Sequence, residues 1–305
     1  MNLNDIMQFT EPTKTSGRVL LIDAHNIAYM MIYAGDINDF EAWKSNFLYK
    51  IFVTIRELSP EKVVIAFDSK NCWRYSLYKE YKANRVKQHG KYVLDKKGFN
   101  SAIDDMVGDL KAIFPCIHTL RVDRTEGDDI IAILATHVFN KESEDVIIVS
   151  RDSDLNQLIS LPNVSQYNPH SKSIVNVLNP KMELEVKIIN GDSGDNIKGI
   201  KRGVGIKKSS DIVKNSSIDE FIESHDTQLE RDTIQEAYNL NRTLIDLSFI
   251  PNSLKDDIIL AYEEVPVTKY KGKTVMKYFT SNKMKRLYRS WSRISKTLDK
   301  LVVDE

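Results

Sequence analysis

The chain has 305 residues, and its 43 Lys and Arg are balanced by 43 Asp and Glu, so formal net charge names no partner. Length allows one large core, or one core with a smaller appended domain. There is no apolar leader at the N-terminus, and the longest apolar stretch, 19–34, is broken by Asp23, His25 and Asn26, which argues against a membrane span and for a cytoplasmic protein. Two cysteines, Cys72 and Cys116, are too few for a disulfide framework or a cysteine zinc site.

Residues 1–17 are polar and lack a period, which predicts an extended lead-in. RVLLID (18–23) reads as a buried strand ending on Asp23, and AHNIAYMMIYA after it as a helix. The spacing of Trp43, Phe47, Leu48, Ile51, Phe52 and Ile55 predicts a helix over 41–58. KVVIAFD (62–68) is a second buried strand, ending on Asp68. Residues 86–100 read as a loop, 101–114 as a helix and 116–122 as a strand. IIAILATHVF suits a buried helix, with Glu126, Asp128 and Asp129 in or before its first turn, and the β-branched run 146–149 is a third strand, followed by Asp152 and Asp154. NVSQY and SIVNV then suggest an edge hairpin, 180–190 a helix, and 216–262 further helices.

Three strand candidates thus each deliver an Asp at or just beyond the C-terminal end. A single such Asp is usually a turn or cap residue, and Thr125-x-x-Asp128 alone is also a capping box. If the strands lie parallel and adjacent, Asp23, Asp68, Asp152 and Asp154 share the rim where ligands of open α/β sheets bind. So many carboxylates in one crevice repel unless cations bind or protons neutralise them. Oxygen donors without nearby Cys or His favour Mg²⁺, with Mn²⁺ able to substitute.

Positive charge is segregated. Residues 70–97 carry nine Lys/Arg against Glu80 and Asp95, and 265–297 carry ten and no acid. In the first stretch Trp73, Tyr75, Tyr78, Tyr81 and Tyr92 interleave with Arg74, Lys79, Lys82, Arg85, Lys87 and Lys91, offering charge for phosphates and flat faces for unpaired bases. In 191–213, Asp192 and Asp195 precede Gly199, Gly203 and Gly205, set among Lys198, Lys201, Arg202, Lys207 and Lys208. Glycine lets backbone N–H groups approach phosphate, which predicts sequence-independent duplex binding. It is not a nucleotide P-loop, because Ile200 stands where Lys is required. The C-terminal aromatics Tyr270, Tyr278, Phe279, Tyr288 and Trp291 are expected to pack a terminal helix onto the body.

LIDAHNIAY (21–29), VIAFD (64–68), WRYSLYKEYKANR (73–85), EGDD (126–129), SRDSD (150–154) and GDSGDNIKGI (191–200) together resemble the structure-specific 5'-nuclease (flap endonuclease) family, over about 180 residues. The resemblance implies an α/β fold with a central, mostly parallel sheet flanked by helices. It also implies a PIN-like nuclease core over 1–180 with a helical arch at about 70–100, and a helical DNA-binding region over 181–305 with a helix-hairpin-helix-like segment at 191–213. Asp23, Asp68, Glu126, Asp128, Asp152 and Asp154 fall on the family's metal-site carboxylates, and Asp129, Asp192 and Asp195 on those of the second metal position. Lys82 and Arg85 match the basic arch pair that meets the scissile phosphate, and Tyr81 an arch aromatic. One departure is that Lys201 and Arg202 both separate Gly199-Ile200 from Gly203-Val204-Gly205, one residue more than related hairpins carry, which leaves the hairpin geometry open.

The implied activity is hydrolysis near the 5' end of a strand in a duplex, flap or RNA/DNA hybrid, in replication, with two ions about 4 Å apart and no protein nucleophile. Asp154 would be among the residues most sensitive to substitution. The expected partners are DNA and RNA/DNA hybrids, with a single-stranded-DNA-binding protein or sliding clamp suggested by replication alone, and the expected state is a monomer. Rival readings are a non-catalytic junction-binding protein on the same fold and a single-metal PIN-like ribonuclease.

Overall fold

The structure, a computed structural model, describes residues 17–35, 37–86, 93–140 and 144–303. Its centre is a six-stranded sheet in the order β3-β2-β1-β4-β5-β6, built from β1 (Arg18–Asp23), β2 (Lys62–Ala66), β3 (His118–Leu120), β4 (Asp145–Val149), β5 (Val164–Asn168) and β6 (Ser173–Ile174). All pairings are parallel except the short β5–β6 hairpin. The inner strands are continuous apolar runs because both faces are covered. Val19, Leu21, Val64 and Ile148 point to one core, and Leu20, Ile22, Ile65 and Val149 to the other.

On one face lie the single turn α3 (Arg74–Leu77), α5 (Gly127–Ile133), which runs on through a wide helical turn at Leu134–Phe139, and α6 (Pro180–Asn190), α7 (Ile206–Asn215), α8 (Ile218–Glu223), α9 (Gln228–Ile245) and α10 (Asn252–Glu263). The other face carries α1 (Ala24–Tyr33), α2 (Phe40–Leu58), α4 (Lys96–Ile113), α11 (Gly272–Ser281) and α12 (Lys285–Leu298). The segment 181–305 is therefore distributed over both faces. The buried Val275, Phe279, Leu287 and Ile294 dock α11 and α12 against α2 and α4, as expected of the C-terminal aromatic segment.

Register sets the functional edge. Asp23 pairs with Ala66 and Ile22 with Val149, so the residues just beyond β1, β2 and β4 emerge side by side. Strand order reverses between β1 and β4, the position at which open α/β sheets form their crevice.

Several boundaries differ from the sequence reading. Helix α4 starts at Lys96, inside the expected loop, because Asp95 accepts from Gly98 N at 3.0 Å and Phe99 is buried beside Trp43. β3 is only three residues of the expected seven. The expected lead-in falls outside the described residues, apart from Gly17, as do Lys87, Lys91 and Tyr92 of the basic stretch. Both cysteines are free and buried. No helix among the described residues is long and apolar enough to cross a membrane.

Candidate metal centre and its basic surround

Each acid reaches the sheet edge by a local device. Asp23 ends β1 and caps α1, accepting from Asn26 N at 2.9 Å and from the Ser150 hydroxyl at 2.8 Å. Asp68, two residues past β2, accepts from Gly127 N at 2.7 Å, with His25 Nδ1 3.6 Å away. A side chain at residue 127 would place its Cβ 3.2 Å from that carboxylate and 3.3 Å from Ala66 O, so glycine is what lets α5 begin against the end of β2. Asp152 caps the short helix 153–160, accepting from Asp154 N at 3.0 Å. Asp192 sits in the loop after α6 and accepts from Gly194 N at 2.7 Å.

The electrostatics divide the acids into two groups. Burial pushes Asp23 up to about 7, helped by Asp68 and Asp152. Burial also drives Asp128 well above the carboxylate range, with Asp23, Asp152, Asp68 and Asp154 adding repulsion. Five carboxylates thus face one another with too little positive charge among them. Asp154, Asp192 and Asp195 form the second group, their carboxylate oxygens within 4.8 Å of one another. Burial and Asp152 lift Asp154 to about 6 against the pull of Lys187. An all-oxygen donor set in which burial and mutual repulsion raise Asp23, Asp128 and Asp154 fits a hard divalent cation, with Asp23, Asp68, Asp128, Asp152 and Asp154 on one side and Asp154, Asp192 and Asp195 on the other.

Lysines and arginines ring this centre. Lys82 pairs with Glu126 and lies 3.8 Å from Asp195, and Arg85 reaches Asp195 at 2.5 Å. Although burial raises it, Glu126 is held down to about 2 by Lys82 and Arg74. The Tyr81 hydroxyl, with one proton to give, lies between Glu126 (2.8 Å) and Asp195 (3.0 Å). Residues 78–86 are laced to the loop after α6: Lys82 N donates to Asp195 O at 2.9 Å and Asn84 to Ser193 O at 2.6 Å.

Four expectations change here. Asp129 is fully buried and turns away from the rim: it accepts from Arg74 at 2.8 and 3.0 Å and from the Trp73 indole at 3.2 Å, and closes a capping box with Glu126, so it is removed from the metal set. The capping box is Glu126–Asp129, one residue on from the expected Thr125–Asp128. Arg74, expected on nucleic acid, has a side chain only 4 % exposed and serves as the counterion of Asp129. Tyr81 is 3 % exposed, so its ring is not open for stacking; Tyr78 lies at the same seam, donating to Asn196 O at 3.2 Å.

The sequence reading also missed Lys187. On the last turn of α6, it pairs with Asp154 and, at 2.8 Å, with Asp192, so a cation already lies between two acids of the second group. The available signal was its place five residues before Asp192, within the last turn of the helix. His25 and Ser150, which hold Asp68 and Asp23, also gave no sequence signal.

In the glycine-rich hairpin, the extra residue is absorbed by a turn closed by Val204 N to Lys201 O at 3.1 Å, with Gly203 at φ 83°. Lys198, Arg202, Lys207 and Lys208 are exposed around it, whereas Lys201 pairs with Glu230. α7 starts behind Gly205 without a side-chain cap, leaving its first N–H groups open to an anion.

Comparison with known proteins agrees with this geometry. Residues 18–187 match the model of the 5'-3' exonuclease N-terminal resolvase-like domain, and residues 179–294 that of the C-terminal domain of T4 RNase H. The chain is 29 % identical to ribonuclease H of Enterobacteria phage T4 over 250 residues, covering 77 % of this chain and 80 % of that protein. It is 27 % identical to a 5'-3' exonuclease of Mycoplasmopsis pulmonis over 302 residues, covering 88 % and 96 %. Its fold is that of the bacteriophage T5 flap endonuclease solved with DNA and metal ions: TM-score 0.62, 20 % identity, 89 % of this chain and 99 % of that one. The chain belongs to the 5'-3' exonuclease family of phosphodiester hydrolases.

Proposed function

We propose that this chain is a divalent-metal-dependent 5'-nuclease, acting as 5'-3' exonuclease, flap endonuclease and ribonuclease H to remove RNA primers and adjoining DNA from the 5' ends of lagging-strand fragments. The observation that carries this reading is the convergence of Asp23, Asp68, Asp128, Asp152 and Asp154 at one sheet edge, beside Asp192 and Asp195. Mg²⁺ would be the ion in this reading, with Mn²⁺ as substitute: held by these carboxylates, it would offset charge on the scissile phosphate and ease deprotonation of the attacking water.

The chain's own residues do the rest. Asp23, Asp68, Asp128, Asp152 and Asp154, with Asp192 and Asp195, hold the ions. Lys82 and Arg85 stand where a phosphate entering from the 78–86 side meets the acids, and offset negative charge that develops there. Tyr81, bridging Glu126 and Asp195, positions that segment. Lys198, Arg202, Lys207 and Lys208, with the open N-terminus of α7, hold duplex backbone; Lys201 contributes after leaving Glu230. The division of labour is catalysis in 1–180, including the basic stretch expected as an arch at about 70–100, and DNA holding in much of 181–305. The setting is the cytoplasm, with a single-stranded-DNA-binding protein or sliding clamp as the replication partner.

The test is Mg²⁺-dependent cleavage of a 5'-labelled RNA/DNA hybrid and a 5'-flap DNA, with Asp154→Asn as control. Cleavage by wild type, lost by orders of magnitude in the variant while binding survives, is the expected result. Folded wild-type protein that binds both substrates with Mg²⁺ and cuts neither would leave a junction-binding protein instead.

A further inference from the structure

A second basic site lies away from the acids. A cavity of about 510 Å³ opens between the C-terminal end of α1, the middle of α2, the β5–β6 turn and the start of α12. Lys50, Arg56, Lys172 and Arg286 line it, with Asn46 and Tyr49, and its one carboxylate is Glu57. Glu57 is engaged by Lys172 at 2.6 Å and by the Tyr167 hydroxyl at 3.3 Å. Lys50 spends its ammonium on a backbone carbonyl, Pro169 O, at 2.5 Å. The Arg286 guanidinium stacks 3.5 Å above the Tyr49 ring, and among the described residues neither it nor Arg56 has a carboxylate partner. Four cations against one acid leave the cavity with excess positive charge that the protein does not balance.

The excess continues beyond the cavity. α12 packs alongside α2, with Arg286 over Tyr49 at one end and Val302 N bonded to Glu61 O (2.8 Å) at the other, so the two helices run in the same direction. Seven residues make about two turns, so the exposed Arg293 follows Arg286 along α12 as Arg56 follows Tyr49 along α2. A row of cations suits a polymer of phosphates better than one small anion. α1 links the row to the acid centre: Asp23 caps one end, and Met31 and Ala34 at the other border the cavity. Ten helical residues span about 15 Å, or roughly four to five base pairs of duplex.

We propose that this cavity and the α2/α12 row form a phosphate-binding site for the backbone of one duplex arm of the nucleic-acid substrate, the arm that leaves the acid centre along α1. Partial burial and the neighbouring Lys172 lower the Lys50 pKa against the pull of Glu57, in keeping with cations crowded together. The inference rests on the nuclease reading, since it takes the occupant to be the substrate.

The test uses the full chain and a 5'-flap DNA with two duplex arms, titrated by fluorescence anisotropy with Ca²⁺ at several salt concentrations. Relative to wild type, Arg56→Gln/Arg286→Gln should bind about tenfold more weakly near 0.1 M salt, with a salt slope shallower by about two. The difference should vanish when one particular arm is deleted and persist when the other is. Arg56→Lys/Arg286→Lys, which keeps the charge, should retain the wild-type slope, which separates lost phosphate contacts from damage to the fold. Equal affinity and slope for wild type and the Gln variant, or a difference that survives deletion of either arm, would overturn the site while leaving the nuclease reading intact. Wild type that fails to bind the flap DNA at all would remove both.

Discussion

Arg74→Met separates a structural arginine from a nucleic-acid contact. The guanidinium meets Asp129 at 2.8 and 3.0 Å and Glu126 at 3.1 Å, and its Nε donates to Leu244 O of α9 at 2.8 Å. Its side chain is 4 % exposed and that of Asp129 is fully buried. Removing one partner of such a pair leaves an uncompensated charge in the interior, which costs about 3–5 kcal/mol. In a chain of this size about 2 °C of melting temperature accompanies each kcal/mol, so thermal unfolding should shift down by about 6–10 °C. Arg74→Met/Asp129→Leu, which removes both charges and keeps apolar volume, should recover a large part of that loss. The assay is thermal and urea unfolding of the four proteins of the cycle. A loss below about 1 kcal/mol in Arg74→Met, together with weakened DNA binding, would refute the structural role and reinstate Arg74 as a phosphate contact.

Gly191→Ala should destabilise the turn out of α6, because residue 191 has φ 75° and an added Cβ would meet Ile197 O at 2.5 Å; a melting temperature and duplex affinity equal to wild type would contradict this. Lys187→Met removes the cation seated between Asp154 and Asp192, so calorimetry should find tighter Mn²⁺ binding and unfolding in EDTA an earlier transition; weaker metal binding would show that Lys187 assists the ion rather than competing with it. In EDTA the pH dependence should rise and then fall. Glu126, held at about 2, contributes stability that is full above its unfolded value of 4.5 and lost as pH falls towards 2. Asp23, raised to about 7, acts oppositely, contributing stability below 3.8 that is lost as pH climbs to 7. Urea midpoints from pH 3 to 8 would show the maximum near pH 4–5, and a midpoint that climbs steadily to pH 8 would speak against both assignments.

The sheet was legible because its inner strands are short β-branched runs that end on acids, and the parallel order then places those acids together without further information. Asp128 and Asp129 were not separable by the same means. Neighbours on a helix point about 100° apart, so one faces the rim and the other the core, and only packing decides which. Arg74 misled for a related reason: alternating basic and aromatic residues look like a nucleic-acid surface until a buried carboxylate claims the guanidinium. Lys187 sits in an amphipathic helix where a lysine is ordinary, and its role depends on a strand-end acid 33 residues earlier in the chain. The loop-like reading of 86–100 gives way only at 96–100, because one buried aromatic, Phe99, draws the start of α4 into the core.

In the proposed function the converging carboxylates oppose one another until a divalent cation joins them. Asp23→Asn tests this opposition without nucleic acid or catalysis, since asparagine can keep the α1 cap while losing the charge. At pH 8 in EDTA the variant should melt above wild type, the gap should close near pH 5 as Asp23 takes up its proton, and Mg²⁺ should stabilise wild type more than the variant. A variant that melts below wild type in EDTA, together with equal stabilisation of both proteins by Mg²⁺, would contradict it.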